Sequence, residues 1–241
     1  MKPLIDYSQY GQAFVFRRFI PPEVAHWVVD VGAYDGIEGS NSRQLVLDGW
    51  NAILIEPLHT VFARLQRNCT DFSNVRMVNV ACGASNGRAT IHLNENNDQE
   101  SSMCPELAHG KPFEVNVSTL NDILEAENCP NVFGVLCDDA EGMDLEVLRG
   151  IDLNRFRPAV ICTEDSYAPT RGERHRYLES NGYVMQGGVG SDVIWTCKDL
   201  VGNRSWPTNF GYFDESPPQE VKDGKLRGKG LVYVSNFAKF F

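Results

Sequence analysis

Several apolar blocks along this chain end in an acid. Val28 and Val29 lead into Asp30 and Val31, and Gly32, Gly36 and Gly39 then punctuate a turn. The β-branched run predicts a buried parallel strand, and the glycines let the backbone turn tightly beneath a ligand before a helix begins. The spacing next predicts a helix over 40–49 with Leu45 and Val46 inward and a second strand over 51–55 stopped by Glu56-Pro57. A helix over 59–68 with Val61, Phe62 and Leu65 on one face follows, then a third strand over 75–81 closed by Gly83. Gly83 to Gly87 is turn chemistry and 88–93 alternates, which predicts an antiparallel excursion. Residues 94–112 form a polar stretch without apolar period, expected to be either a substrate-side lid or simply mobile.

Beyond this loop Thr119 and Asp122 frame a helix start, with Leu120, Ile123 and Leu124 as its apolar face. A fourth strand over 132–137 ends in Asp138-Asp139, and Leu145, Val147, Leu148 and Ile151 mark another helix. A fifth strand over 159–162 ends at Thr163-Glu164-Asp165, a helix over 171–181 stops at Gly182, and 184–197 closes as a hairpin. This order predicts an α/β fold: a mostly parallel sheet, helices on both faces, an antiparallel hairpin at the end. Residues 1–200 read as one domain and 201–241 as an aromatic and basic extension that packs on the core or on a neighbouring subunit. A homo-oligomer is the partner state that this extension suggests.

Composition narrows the function. The chain has 241 residues, 42% of them hydrophobic, and a net charge of -10, so nucleic acid and anionic lipid are disfavoured as partners. Seven cysteines without a C-x-x-C pair suit a reducing compartment. Neither a basic and apolar leader nor an apolar run of membrane length is found, so the expected location is cytoplasmic, with no integral membrane segment.

The first turn selects among cofactors. A dinucleotide fingerprint needs a glycine where Tyr34 stands, and Asp30 and Asp35 would repel a diphosphate. S-adenosylmethionine carries a sulfonium, an ammonium, a ribose diol and an adenine, and no phosphate, so the acids suit it. Glu56, closing the second strand, is placed to hold a ribose, a device that NAD enzymes share. The residues assigned to the cofactor are Asp30, Gly32, Ala33, Tyr34, Gly36, Glu56, Pro57 and Ala81.

The chain resembles the FkbM-type methyltransferases. The resemblance runs from Tyr7-Ser8-Gln9-Tyr10-Gly11-Gln12, through Val29 to Gly36, Ser40-Asn41-Ser42, Gly49-Trp50 and Ile53 to Pro57, to Ile194-Trp195. Its most specific element is Asp139-Ala140-Glu141-Gly142-Met143-Asp144-Leu145-Glu146-Val147-Leu148-Arg149-Gly150, similar to the family's D-V-E-G-x-E-x-x-V-L-x-G. Two departures stand out: Ala13 where the family has an acid, and Cys137-Asp138 where it has Lys-Ile. The resemblance implies a class I, Rossmann-like methyltransferase fold with seven strands. It also implies methyl transfer from S-adenosylmethionine to a hydroxyl of a sugar or glycosylated metabolite, a small-molecule or glycan acceptor. The rival readings are a non-catalytic binding or regulatory protein on the same fold, and an NAD-dependent oxidoreductase.

In such a fold ligands lie outside the carboxyl ends of the strands, so Asp30, Asp139 and Glu164 are expected to converge. Removing a proton from a hydroxyl needs a base, and crowded carboxylates become better bases, which makes Asp139 the first candidate and Glu164 the second. Asp138, Asp139 and Glu164 are also oxygen ligands of the kind that Mg²⁺ takes, although neighbours on a strand face opposite ways. His59, His109 and His175 have no partner in the sequence that would fix any of them as a base.

Overall fold

The computed structural model describes residues 7–94, 101–104, 110–165 and 168–202, apart from the side chain at 168. Helix α1 (Gln12–Phe19) leads to β1 (Ala25–Val31), α2 (Arg43–Leu47), β2 (Asn51–Ile55), α3 (His59–Cys69) and β3 (Val75–Val78). A short β4 (Ala81–Cys82), β5 (Gly87–His92) and β6 (Pro112–Ser118) follow. The chain then runs through α4 (Leu120–Ala126), β7 (Val132–Asp138), α5 (Asp144–Arg149), β8 (Arg157–Glu164), α6 (Ala168–Ser180), β9 (Tyr183–Val189), β10 (Asp192–Cys197) and α7 (Lys198–Val201).

The main sheet has the order β3-β2-β1-β7-β8-β10-β9, parallel except for β10, which runs antiparallel to both β8 and β9. The seven-stranded, mostly parallel sheet with its antiparallel hairpin is the expected one. Strand order reverses between β1 and β7, and at such a switch point the carboxyl ends of neighbouring strands diverge into a crevice.

Side-chain alternation along the central strands divides the core into two layers. Val28, Leu54, Val135 and Val160 face α1, α2 and α3, where Phe16, Phe19, Leu45 and Leu65 are buried. Val29, Ile53, Leu136 and Ile161 face the other way, onto Leu124, Leu148 and Leu178 of α4, α5 and α6. Period two therefore fixes the strand-end acids: Asp30 follows the Val28 face, whereas Asp138 follows the Leu136 face.

Three elements depart from the sequence expectation. The third strand is split: Val75–Val78 pairs in the main sheet, while Ala81–Cys82 joins a second sheet of order β4-β6-β5. Strand β6 occupies 112–118, where no strand was expected, and supplies the antiparallel partner of β5. Helix α1 was also not expected, although Ala13, Phe16 and Phe19 are spaced to line one face, and all three are buried.

Residues 95–100, 105–109 and 203–241, which include His109 and nearly all of the C-terminal extension, lie outside the described residues. The boundary expected at 200 falls inside α7. Among the described residues no helix is long and apolar enough to cross a membrane. All seven cysteines are free thiols, Cys104 half-buried and the others buried.

Candidate functional site

The cofactor turn is shaped by close approach. Gly32 and Ala33 both donate their amides to the Ile55 carbonyl at 3.0 Å, and the Asp139 amide donates to the Val31 carbonyl at 3.2 Å. A Cβ on Gly32 would lie 2.0 Å from the Asp139 carbonyl oxygen, and φ there is +77°, so no side chain fits. This contact seats the loop after β7 against the loop after β1. Tyr34, in place of the dinucleotide glycine, also has a positive φ of 51°. Its ring packs with Leu58, Val61 and Ile91, and the Arg64 guanidinium lies 4.9 Å above it.

A cavity of about 380 Å³ opens over these loops, within the range of small-molecule and cofactor sites. Of the residues assigned from sequence, Asp30, Gly32, Ala33, Tyr34, Glu56, Pro57, Ala81, Asp139 and Glu164 line it. Gly36 does not: a Cβ there would meet Leu65 Cδ1 at 2.7 Å and Cys69 Sγ at 3.1 Å, so this glycine lets the turn pack on α3. Asp138 does not line it either. Its side chain lies on the opposite face of the sheet, among Asp144 and Arg174.

Charge in the cavity is of one sign. Asp30, Glu38, Glu56, Asp139, Glu141 and Glu164 line it, with no lysine, arginine or histidine among the described residues. Burial pushes the Asp30 carboxyl up to about 6, against the lowering effect of a hydrogen bond donated by the Ser42 hydroxyl. Glu56 accepts the Leu58 amide at 2.8 Å and lines the cavity together with Ala81 and Cys82. Burial first, then the nearby carboxylates of Glu141 and Glu164, hold Asp139 well above the usual carboxylate range.

Asp139, Glu141 and Glu164 bring oxygens within 4.8 Å of one another. Glu141 takes the place in this cluster that sequence assigned to Asp138. The signature's geometry explains the substitution: Glu141 and Gly142 have φ of 49° and 90°, turning the chain back so that a residue two beyond Asp139 reaches the same edge. Ser102 Oγ donates to the Glu141 carbonyl at 2.5 Å, and Ser101 and Met103 line the cavity, so the described part of the 94–112 stretch covers the site.

Behind the acids lies a network that sequence reasoning did not single out. Arg174 on α6 is fully buried, with Nη2 2.6 Å from Asp165 Oδ1 and Nη1 3.6 Å from Asp144 Oδ2. Asp165 directly follows Glu164 and Asp144 belongs to the Asp139 signature, so one guanidinium ties both acid-bearing loops together. Asp144 is raised to about 6 by burial, with Arg174 opposing, and burial together with Asp144 holds Asp138 well above the usual carboxylate range.

The leading segment is pinned in a similar way. Gln12 Nε2 donates to Asp192 Oδ2 at 2.8 Å, and Ser8 Oγ accepts the Gly11 and Gln12 amides at 3.1 and 2.9 Å. Ala13 and Cys137, the two departures from the family pattern, fall in the same buried cluster, where the acid and lysine would have placed one charge of each sign. His59 Nδ1 lies 3.4 Å from Asn79 Oδ1, and His175 Nε2 lies 3.1 Å from Asp165 Oδ1, with its ring edge-on to Trp195. Neither histidine lines the cavity.

The residues present fit S-adenosylmethionine. The cavity is lined by carboxylates that match its cationic groups and hydroxyls, Gly32 leaves space that a side chain would fill, and a buried Asn41 amide oxygen lacks a partner. The chain is similar in fold to a methyltransferase from Geobacter sulfurreducens (13% identity, TM-score 0.46, 80% of each chain covered). It is also similar to a precorrin-6y C5,15-methyltransferase from Geobacter metallireducens GS-15 (15% identity, TM-score 0.44, 78% of this chain and 88% of that one). A third similar structure is a fibrillarin pre-rRNA processing protein from Methanococcus jannaschii (12% identity, TM-score 0.44, 78% and 73%). None of the curated proteins compared with the chain matches it. The profile of the methyltransferase FkbM domain matches residues 30–185, more than half of the chain and the whole of the cofactor turn and acidic signature. The chain therefore belongs to the FkbM methyltransferase family and is an S-adenosylmethionine-dependent methyltransferase of class I fold.

Proposed function

We propose that this methyltransferase acts on a hydroxyl oxygen of an uncharged, polyhydroxylated small molecule, a sugar or a glycosylated metabolite. The observation that carries this reading is the set of six carboxylates lining the cavity with no basic side chain among the described residues. A phosphorylated or carboxylated acceptor would meet like charge at close range, whereas hydroxyls donate to carboxylates.

When bound, S-adenosylmethionine supplies an electrophilic methyl group on a sulfonium. Asp30 and Glu56 would hold its cationic and ribose ends. The remaining work falls to the chain: fixing an acceptor hydroxyl in line and removing its proton. Asp139 is the proposed base, because it lines the cavity and because burial and crowding by Glu141 and Glu164 raise its proton affinity above that of an ordinary carboxylate. Glu164 is the second candidate.

The oxygens of Asp139, Glu141 and Glu164, mutually within 4.8 Å, favour one further reading, in which Mg²⁺ is held there and lowers the hydroxyl's pKa. In that case Asp139 is a ligand and not the base. The seven free thiols support a reducing, cytoplasmic location.

The test is transfer of radiolabelled methyl from S-adenosylmethionine to a panel of neutral sugars, sugar phosphates, uronic acids and amines, with and without EDTA. The expected result is label in ether linkage on neutral acceptors. Label on nitrogen, or preference for the anionic acceptors, would overturn the reading, and loss of transfer with EDTA would favour the metal.

A further inference from the structure

The loop from Ser40 to Ser42 carries three polar side chains, of which two are spent on the loop itself. Ser40 Oγ accepts the Arg43 amide at 3.1 Å and lies 3.2 Å from Ser42 Oγ, and the Ser42 hydroxyl donates to Asp30. Ser40 and Ser42 are buried. These bonds anchor the loop to the end of β1 and fix the direction of the residue between them.

Asn41 lines the cavity, and its Oδ1 is buried without a hydrogen-bond partner. Buried acceptors are paired almost everywhere in folded proteins, so an orphan on a preorganised loop facing a ligand cavity marks a donor that arrives with the ligand. Its place identifies which donor. Glu56, Pro57, Ala81 and Cys82 line the cavity from β4 and the loop after β2, where Glu56 is the acid assigned to the ribose. Gly39, Ser40 and Asn41 line it from the loop that Ser42 bonds to Asp30 at the end of β1, beside Gln9, whose Cγ would lie 3.3 Å from a Cβ on Gly39. In the methyl donor the amino-acid portion extends from sulfur away from the ribose, and its ammonium is its strongest donor.

We infer that the Asn41 amide oxygen accepts a hydrogen bond from the α-ammonium of the methyl donor, beside Asp30, and so positions the amino-acid end of the cofactor. The assignment rests on the reading of the cavity as the S-adenosylmethionine site. It makes Asn41 a cofactor-binding residue that discriminates a full sulfonium amino acid from a bare nucleoside.

Calorimetry on the full chain tests this with two probes, S-adenosylhomocysteine and 5′-methylthioadenosine, the second lacking the amino-acid portion. Asn41→Ala should weaken S-adenosylhomocysteine about tenfold or more, the effect of losing one charge-assisted bond, and leave 5′-methylthioadenosine unchanged. Asn41→Asp, which keeps an acceptor there, should bind S-adenosylhomocysteine at least as tightly as the parent. Equal loss of both probes, no loss of either, or an Asn41→Asp variant as weak as Asn41→Ala would overturn the inference, the last because it would mean that the amide serves as a donor. Thermal unfolding reports whether each variant is folded, and Asn41→Ser carries the Asn41→Ala expectation if the alanine variant is not. A parent chain that is folded yet binds neither probe would instead overturn the cofactor reading itself.

Discussion

Asp30 is a carboxylate kept in the core at an energetic cost, and that cost can be measured. Its carboxyl is raised from 3.8 to about 6 by burial, with the Ser42 hydroxyl opposing. Below about pH 4 the group is protonated in both folded and unfolded chains and contributes nothing. As pH rises from about 4 to about 6, the unfolded chain ionises first, and folding loses stability that it does not regain at higher pH. For a side chain only 4% exposed, the rise from 3.8 to about 6 corresponds to about 3 kcal/mol at neutral pH.

Asp30→Asn keeps the shape and an acceptor for Ser42 but removes the ionisation. Denaturant unfolding should therefore show the variant about 2–3 kcal/mol more stable than the parent at pH 8 and equal to it near pH 4. Asp144, also raised to about 6, acts equally in both proteins and cancels in the difference, while Asp192, whose carboxylate helps to raise Asp30, is relieved in the variant and adds to the gain at pH 8. The same variant should bind S-adenosylhomocysteine about ten times more weakly, or worse, because a charged partner is lost. A variant that is less stable at pH 8, or whose stability difference does not change with pH, would refute the reasoning. Stability gained with binding lost is the signature of a residue retained for function.

Gly32→Ala should be the opposite, losing both, since a Cβ 2.0 Å from the Asp139 carbonyl must push the loops after β1 and β7 apart. Left-handed strain alone costs about 1–2 kcal/mol, and a thermal scan with and without S-adenosylhomocysteine reads both effects. Arg174→Met should destabilise by about 3–5 kcal/mol at pH 8, and by less at pH 5, below the value of about 6 to which Asp144 is raised; chemical unfolding at the two pH values checks this. Asp139→Asn should retain S-adenosylhomocysteine binding within a few-fold and lose methyl transfer by about a hundredfold or more, measured as label transferred to the acceptor found in the panel.

The alternation of Val28, Val29 and Asp30 and the block ending at Glu56 made the parallel strands and their acidic edge readable, because buried strands and strand ends write themselves into local pattern. Helix α1 was legible in principle from Ala13, Phe16 and Phe19, and β6 from Phe113, Val115 and Val117. Strand β6 is mostly exposed, so its alternation signals no core face. The cofactor turn was readable down to Tyr34. What sequence could not show were partnerships across distance. Gln12 meets Asp192, Arg174 joins Asp144 to Asp165, and Glu141 replaces Asp138 in the acidic cluster only because the chain turns through two positive φ angles. In the sequence Asn41 is one residue of the family pattern and nothing more, because what marks it is an unmet hydrogen bond, which exists only in three dimensions.

The most direct test of the account is titration of S-adenosylhomocysteine into the folded full-length chain, with NADH as the competitor ligand. Saturable one-to-one binding of S-adenosylhomocysteine, unaffected by NADH and weakened in Asp30→Asn, is the predicted result. A folded chain that takes up NADH and gives no heat with S-adenosylhomocysteine would contradict it.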